Sequence, residues 1–123
     1  MDKIKLFDSE LKVMEVLWAE GELPAKKIAE ILNASIGWNK NTTYTVIKKC
    51  VEKGIVERVE PNFLCLPLLT KEQAREFELE ELITRLYDGS AGLLFTSMLG
   101  RLGGGELSEE LLAKLKDMAG EQK

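Results

Sequence analysis

The sequence contains no histidine and only two cysteines among its 123 residues. Histidine is the commonest general base near neutral pH and a common zinc ligand, so its absence counts against most hydrolytic and metal-dependent enzymes. Cys50 and Cys65 stand apart in the sequence, and two isolated thiols cannot form a structural zinc site alone. The chain also lacks a glycine-rich phosphate loop and a nucleophile constellation. We therefore expect no enzyme activity, no metal and no cofactor.

Long apolar runs are also missing. None approaches the length of a membrane-spanning helix, and residues 1–8 lack the apolar core of a signal peptide. The hydrophobic fraction of 45% is ordinary for a globular protein. A chain of this length suits one domain, or a small domain followed by an oligomerisation tail. We expect a cytoplasmic protein without a membrane partner.

The sequence has no overall excess of positive charge, since its formal net charge is −4. Residues 1–69 hold ten basic and ten acidic side chains, whereas residues 70–123 hold seven basic and eleven acidic ones. Within residues 38–53 there are four lysines and one glutamate. The positive charge is therefore local, which is compatible with modest and salt-sensitive binding to nucleic acid.

Residues 38–54 (WNKNTTYTVIKKCVEKG) predict the recognition helix of a winged helix-turn-helix, placed at 40–53. Asn39 is expected to cap its first N–H groups and Gly54 to end it. Its inward positions follow the spacing of one buried helical stripe: Thr43, Val46, Ile47, Cys50 and Val51. The other face carries amide, hydroxyl and ammonium groups, which suit base edges and phosphates: Lys40, Asn41, Thr42, Tyr44, Thr45, Lys48 and Lys49. An ordinary solvated amphipathic helix would show the same pattern.

Two helices precede this segment. Asp8 or Ser9 is expected to cap the first, and Pro24 to occupy the first position of the second. Trp18 and Trp38 are expected to pack in the core. After Gly54 the pattern becomes that of two short strands, 55–60 and 63–66, joined by a turn at residues 61–62.

Three helices followed by a hairpin is the order of a winged helix. The expected fold is therefore mainly α with a small β-hairpin: a winged helix-turn-helix DNA-binding domain at 1–69. The hairpin of residues 55–66 is the wing, and its candidate contacts with DNA are Arg58 and Asn62. Glu57 and Glu60 would repel phosphate if they faced it, so the helix is the better supported part of the interface.

Residues 70–123 predict a helical dimerisation region. Thr70 and Gln73 fit a capping box, a turn is expected at residues 88–90, and Gly103–Gly105 are interpreted as a flexible joint before a last helix capped by Ser108. The apolar faces of these helices need a partner, and a second copy of the chain is the simplest one. A tail folded back on its own winged domain is the alternative. The candidate dimer contacts are Leu82, Leu86, Leu94, Phe95, Met98, Leu99, Leu111 and Leu115.

The segment Trp38-Asn39-Lys40-Asn41-Thr42, followed by Thr45 and Lys53-Gly54, resembles the penicillinase-repressor (BlaI, MecI and CopY type) family. The resemblance extends to residues 15–18, 86–89 and 107–111 and so covers nearly the whole chain. It implies a homodimeric bacterial repressor with a winged helix that binds a double-stranded, pseudo-palindromic DNA operator. Some members are linked to antibiotic resistance and are inactivated by proteolysis, which makes a regulatory protease a further candidate partner.

This sequence departs from the family pattern at several places. Tyr44 stands where arginine is usual, Lys48 or Lys49 replaces another arginine, and the wing lacks the common Asp-Gly-Arg tip. The operator sequence is therefore expected to differ from the family's usual palindrome. The tail lacks the paired cysteines of copper-responsive members, and Ser97-Met98, at the place of proteolysis, lacks the usual residues. A winged-helix adaptor that binds protein instead of DNA remains the alternative function.

Overall fold

The computed structural model describes residues 5–106, with side chains up to Arg101. The described residues fall into two compact units that divide between Glu80 and Glu81. No helix among them is long and apolar enough to cross a membrane. The elements in chain order are α1 (Asp8–Glu20), β1 (Leu23–Pro24), α2 (Ala25–Ile36), α3 (Lys40–Glu52), β2 (Val56–Val59), β3 (Leu64–Pro67), α4 (Lys71–Leu86) and α5 (Ala91–Glu106).

The first two helices begin differently from the sequence prediction. Helix α1 starts at Asp8, so neither Asp8 nor Ser9 is its cap; Phe7 precedes it, and the Phe7 N–H donates to Glu10 Oε1 at 2.9 Å. A glutamate in the first turn can reach back to the N–H group ahead of the helix, and it does so here. Pro24 lies in β1 instead of in α2, with an extended ψ of 147°. Its missing N–H and fixed φ are compatible with a short strand immediately before a helix.

The β-structure is a three-stranded antiparallel sheet in the order β1-β3-β2. The predicted hairpin is present, with Val56 opposite Pro67 and Val59 opposite Leu64. Strand β1 was not predicted. Its Leu23 pairs with Cys65 of β3. Because β3 lies between the other two strands, the sheet ties the start of α2 to the wing.

The core of the first unit lies between the three helices and the sheet. It is formed by fully buried side chains from each helix, such as Met14, Ile28 and Ile47, together with Ile55 and Val56. Trp18 and Trp38 pack against this core as expected. The inward faces of α1, α2 and α3 therefore leave the opposite face of α3 free for solvent.

The start of α4 belongs to the same unit. Thr70 and Gln73 form the predicted capping box: Gln73 N–H donates to Thr70 Oγ1 at 3.0 Å, and Thr70 N–H donates to Gln73 Oε1 at 2.9 Å. Ala74 is buried in the core, and the indole N–H of Trp18 donates to the Leu69 carbonyl at 2.8 Å. The first turn of α4 thus packs on the winged helix, and Ala74 lies five residues beyond the expected boundary at residue 69.

The second unit contains the end of α4, the predicted turn, and α5. Asp88 and Gly89 adopt left-handed φ values of 52° and 76°, and Ser90 Oγ accepts the Leu93 N–H at 3.1 Å to cap α5. The prediction of a joint at Gly103–Gly105 is wrong, because all three glycines lie inside α5. Extending an existing helix adds one hydrogen bond per residue fixed, which offsets the cost of about 1 kcal/mol per glycine. The predicted last helix, with Leu111 and Leu115, lies outside the described residues.

Candidate DNA-binding surface

Helix α3 presents one polar face to solvent and buries the other. Thr43, Val46, Ile47 and Cys50 are buried, as the helical stripe predicted, while Val51 is half-buried. Six of the seven predicted DNA contacts on this helix are exposed: Lys40, Asn41, Thr42, Thr45, Lys48 and Lys49. Their shared exposure follows directly from the 3.6-residue period of the helix.

The N-terminus of α3 is held in place by two asparagines. Asn39 Oδ1 accepts the Thr42 N–H at 2.8 Å, which confirms the predicted cap. Asn33 Nδ2 donates to the Trp38 carbonyl at 2.9 Å and so fixes the turn between α2 and α3. Gly37 in this turn has φ +75°, a left-handed conformation that suits glycine. The first N–H groups of α3 form a positive helix end that favours phosphate.

The Thr45 hydroxyl is partly committed to its own helix. Thr45 Oγ1 donates to the Asn41 carbonyl at 2.9 Å. Its proton is therefore in use, while its oxygen lone pairs and its methyl group remain exposed. These groups suit a base-edge donor or the methyl group of thymine.

Tyr44 differs from its neighbours because it is half-buried. Its ring meets the ring of Phe63 edge to face, with centroids 5.9 Å apart, and Lys40 Nζ lies 5.7 Å from its centroid. Edge-to-face pairs and cation–aromatic contacts are both favourable. Tyr44 therefore joins the recognition helix to the wing, and its phenol oxygen is the part that remains for a DNA contact.

The wing places its two predicted contacts differently. Asn62 is exposed at the turn, with φ +73°. The Arg58 guanidinium lies 3.8 Å from the centroid of Phe63, and its Nε is paired with the Glu60 carboxylate. Arg58 thus contacts a ring through its guanidinium and a carboxylate through its Nε, and the sequence prediction included neither contact.

Helix α3 carries a local excess of positive charge, with three lysines and one glutamate. Lys40, Lys48 and Lys49 form no ion pair within residues 5–101, whereas Lys53 is paired with Glu10. Lys26, on α2, lines the same shallow cleft of about 230 Å³ as Lys40. Lys26 was not among the predicted contacts, although the helix before a recognition helix commonly crosses the DNA backbone, which makes Lys26 a further candidate.

Comparisons with known proteins agree with this geometry. A family model described as penicillinase repressor matches residues 6–121. A solved structure, the solution structure of the DNA-binding domain of the repressor BlaI, is similar with a TM-score of 0.53 and 20% sequence identity. The match covers 58% of this chain and 90% of that one, and at this identity it shows the winged-helix fold alone. A search of curated proteins finds no match.

Proposed function

Because this chain belongs to the penicillinase-repressor family of DNA-binding transcriptional repressors, we propose that it binds a pseudo-palindromic operator as a homodimer through α3. The observation that carries this proposal is the exposed polar face of α3, with a capped N-terminus and three lysines without ion pairs in the described part of the chain. Because the opposite face of α3 is buried in the core, the polar face has one fixed orientation in the domain. A rigid helix with one such face is what major-groove recognition requires.

Each polar residue of this surface has a proposed role. Lys40, Lys48 and Lys49 contact phosphates, and Arg58 and Asn62 add contacts from the wing. Base edges are contacted by Asn41, Thr42, Tyr44 and Thr45, and each good contact contributes about 1–3 kcal/mol of discrimination. In a dimer, two copies of α3 would meet half-sites separated by one or more helical turns, about 34 Å each.

Homodimer formation is proposed to use the helices of residues 70–123. Apolar side chains on these helices are exposed in the single chain: Leu86, Phe95, Met98 and Leu99, while Leu82 and Leu94 are half-exposed. Burial against a second copy would remove this apolar surface from water. The candidates Leu111 and Leu115 stay predictions. A regulatory protease also stays a prediction; the Ser97-Met98 bond lies inside α5, so cleavage there would require local unfolding.

The proposal is tested by binding to the DNA upstream of the protein's own coding sequence, with a random-sequence duplex of equal length as competitor. We expect preference for the upstream duplex and a steep loss of affinity as salt rises. The double variant Thr45→Ala/Lys48→Ala should lose that preference while remaining folded and dimeric. Normal binding by this variant would exclude α3 as the reader.

A matched control removes one hydroxyl group and one lysine ammonium group from positions outside α3. Ser35 Oγ donates to the Ile31 carbonyl at 2.8 Å, as Thr45 does to Asn41, and Lys12 is an exposed lysine on α1. Ser35→Ala/Lys12→Ala should therefore bind as the wild type does. The adaptor alternative predicts weak, salt-insensitive or absent binding to both duplexes for every variant.

A further inference from the structure

The wing arginine is held by a carboxylate two residues away. Arg58 Nε is hydrogen-bonded to Glu60 Oε2, and the guanidinium lies over the Phe63 ring, 3.8 Å from its centroid. Glu60 Oε1 also accepts the Phe63 N–H, at 3.4 Å. The Arg58 and Glu60 side chains are 45% and 59% exposed, so this pair stands in water at the surface.

Phe63 forms a fixed base for this pair. Its φ of +49° is left-handed, which is uncommon for a bulky residue and persists only where neighbouring contacts hold it. Two such contacts are present: the Phe63 carbonyl accepts the Ala25 N–H at 2.9 Å, and the ring meets Tyr44. The guanidinium of Arg58 is therefore positioned relative to the body of the domain, although it lies on the wing.

A continuous row of side chains connects Arg58 with the recognition helix. Lys40 lies over Tyr44, Tyr44 meets Phe63, and Phe63 carries Arg58. The row begins and ends with a cation, and its first two members belong to α3. Arg58 therefore borders the α3 surface that is proposed to face DNA, with the Phe63 ring between it and Tyr44.

We propose that Glu60 withholds Arg58 from DNA phosphate and thereby sets the affinity contributed by the wing. This inference rests on the proposed function, because it assumes that the α3 face meets DNA. While the pair is intact, the Glu60 carboxylate beside the guanidinium offsets the positive charge that Arg58 would present to a phosphate. A phosphate that approaches the guanidinium also approaches this carboxylate, which repels it. The wing is consequently a weaker phosphate contact than its arginine alone would make.

Three variants separate the release of Arg58 from a simple change of charge. Glu60→Gln keeps the oxygen that accepts the Phe63 N–H but removes the charge that pairs with Arg58. Glu57→Gln makes the same change of net charge three residues earlier, at an exposed position with no ion pair within the described residues. Glu60→Gln/Arg58→Gln removes the arginine that the first variant releases.

The measurement is affinity for a random-sequence duplex over a range of salt concentrations, since phosphate contacts do not depend on sequence. We expect Glu60→Gln to bind about five-fold tighter than wild type at low salt, with a salt slope steeper by about one per bound subunit. Glu57→Gln should show a smaller gain with an unchanged slope, and the double variant should lose the gain. Equal urea midpoints for all proteins would show that folding is not the cause.

Equal behaviour of Glu60→Gln and Glu57→Gln would overturn the inference, as would a gain that survives in the double variant. Weaker binding by Glu60→Gln would also overturn it, because Glu60 would then orient Arg58 for DNA. The proposed function fails separately, if the wild type shows no preference for the upstream duplex over the random one. Absence of binding to either duplex by every variant would overturn both.

Discussion

Glu10 and Lys53 form a partly buried ion pair that joins the first turn of α1 to the residue just after α3. Glu10 is 2% exposed, and its carboxylate also accepts the Phe7 N–H. Lys53 Nζ donates in addition to the Lys5 carbonyl and lies 4.5 Å from the centroid of the Phe7 ring. The C-terminal end of the recognition helix is therefore fastened to the start of the domain by one lysine.

Loss of this lysine should destabilise the protein strongly. In Lys53→Met the Glu10 carboxylate would stay buried without its cation, which costs about 2–4 kcal/mol of unfolding free energy. Adding Glu10→Gln should recover part of that loss, because the buried charge is then gone. Urea unfolding of the single and double variants measures both effects.

The control is a lysine in an exposed pair. Lys27 and Glu30 lie 3.8 Å apart with side chains more than half exposed. Lys27→Met should change the unfolding free energy by less than about 0.5 kcal/mol. If Lys53→Met were equally mild, the Glu10–Lys53 pair would not stabilise the fold.

Thr43 carries a second buried polar group, and its removal should stabilise the protein. It is fully buried, and its Oγ1 has no hydrogen-bond partner within the described residues. Thr43→Val keeps the side-chain shape and replaces the hydroxyl by a methyl group, so we expect a gain of about 1 kcal/mol in unfolding free energy. Thr96→Val is the comparison, because Thr96 is exposed and its hydroxyl donates to the Gly92 carbonyl. A lower thermal midpoint for Thr43→Val would show that the hydroxyl is satisfied.

Local patterns predicted helix α3 well, because a helix and its cap depend on neighbours in sequence. The buried stripe from Thr43 to Cys50 and the Asn39 cap need no knowledge of the rest of the fold. The capping box at Thr70 and Gln73 is equally local. These signals follow from helical geometry, in which only residues three or four apart share a face.

Features that depend on distant residues were not predictable in this way. Strand β1 has two residues and exists only because Leu23 pairs with Cys65, about forty positions later in the sequence. The contact of Tyr44 with Phe63 crosses from helix to wing, and it turns a predicted base contact into a half-buried residue. Nothing near Glu10 in the sequence indicates its pairing with Lys53.

The two cysteines should be inert in the folded protein. Burial raises the pKa of the Cys50 thiol to about 12, with a further contribution from the Glu10 carboxylate that Lys53 opposes. Burial raises the pKa of Cys65 to about 11, and Arg58 lowers it in part. Because the thiolate is the reactive form, neither residue should react with a disulfide reagent at pH 8 until the chain unfolds. Rapid reaction of the native protein would contradict this.

The same pKa shifts predict the pH dependence of stability. Both thiols hold their protons more tightly in the folded state than in the unfolded one, whose reference pKa is 9.0. The contribution of the two thiols to the free energy of unfolding is therefore complete below pH 9. It is lost as the pH rises toward 11 and 12. The slope is up to about 1.4 kcal/mol per pH unit for each thiol. Unfolding free energies of the wild type and of Cys50→Ala/Cys65→Ala, measured between pH 8 and 11, should differ in slope, whatever the cavities cost at pH 8.

Adjacent residues on α5 allow a direct test of the proposed dimer. Phe95 lies on the predicted apolar face and is 43% exposed, whereas Thr96 points about 100° further around the helix and is also exposed. Phe95→Glu would place two carboxylates in a symmetric apolar interface, which is costly because neither gains a partner. Thr96→Glu makes the same change of charge one residue away. We expect sedimentation to show a monomer for Phe95→Glu and a dimer for Thr96→Glu and wild type.

Operator affinity should fall when the dimer is lost, because two linked copies of α3 bind DNA far better than one. A dimeric Phe95→Glu variant would exclude this face of α5 from the interface, and a monomeric wild type would exclude the homodimer itself.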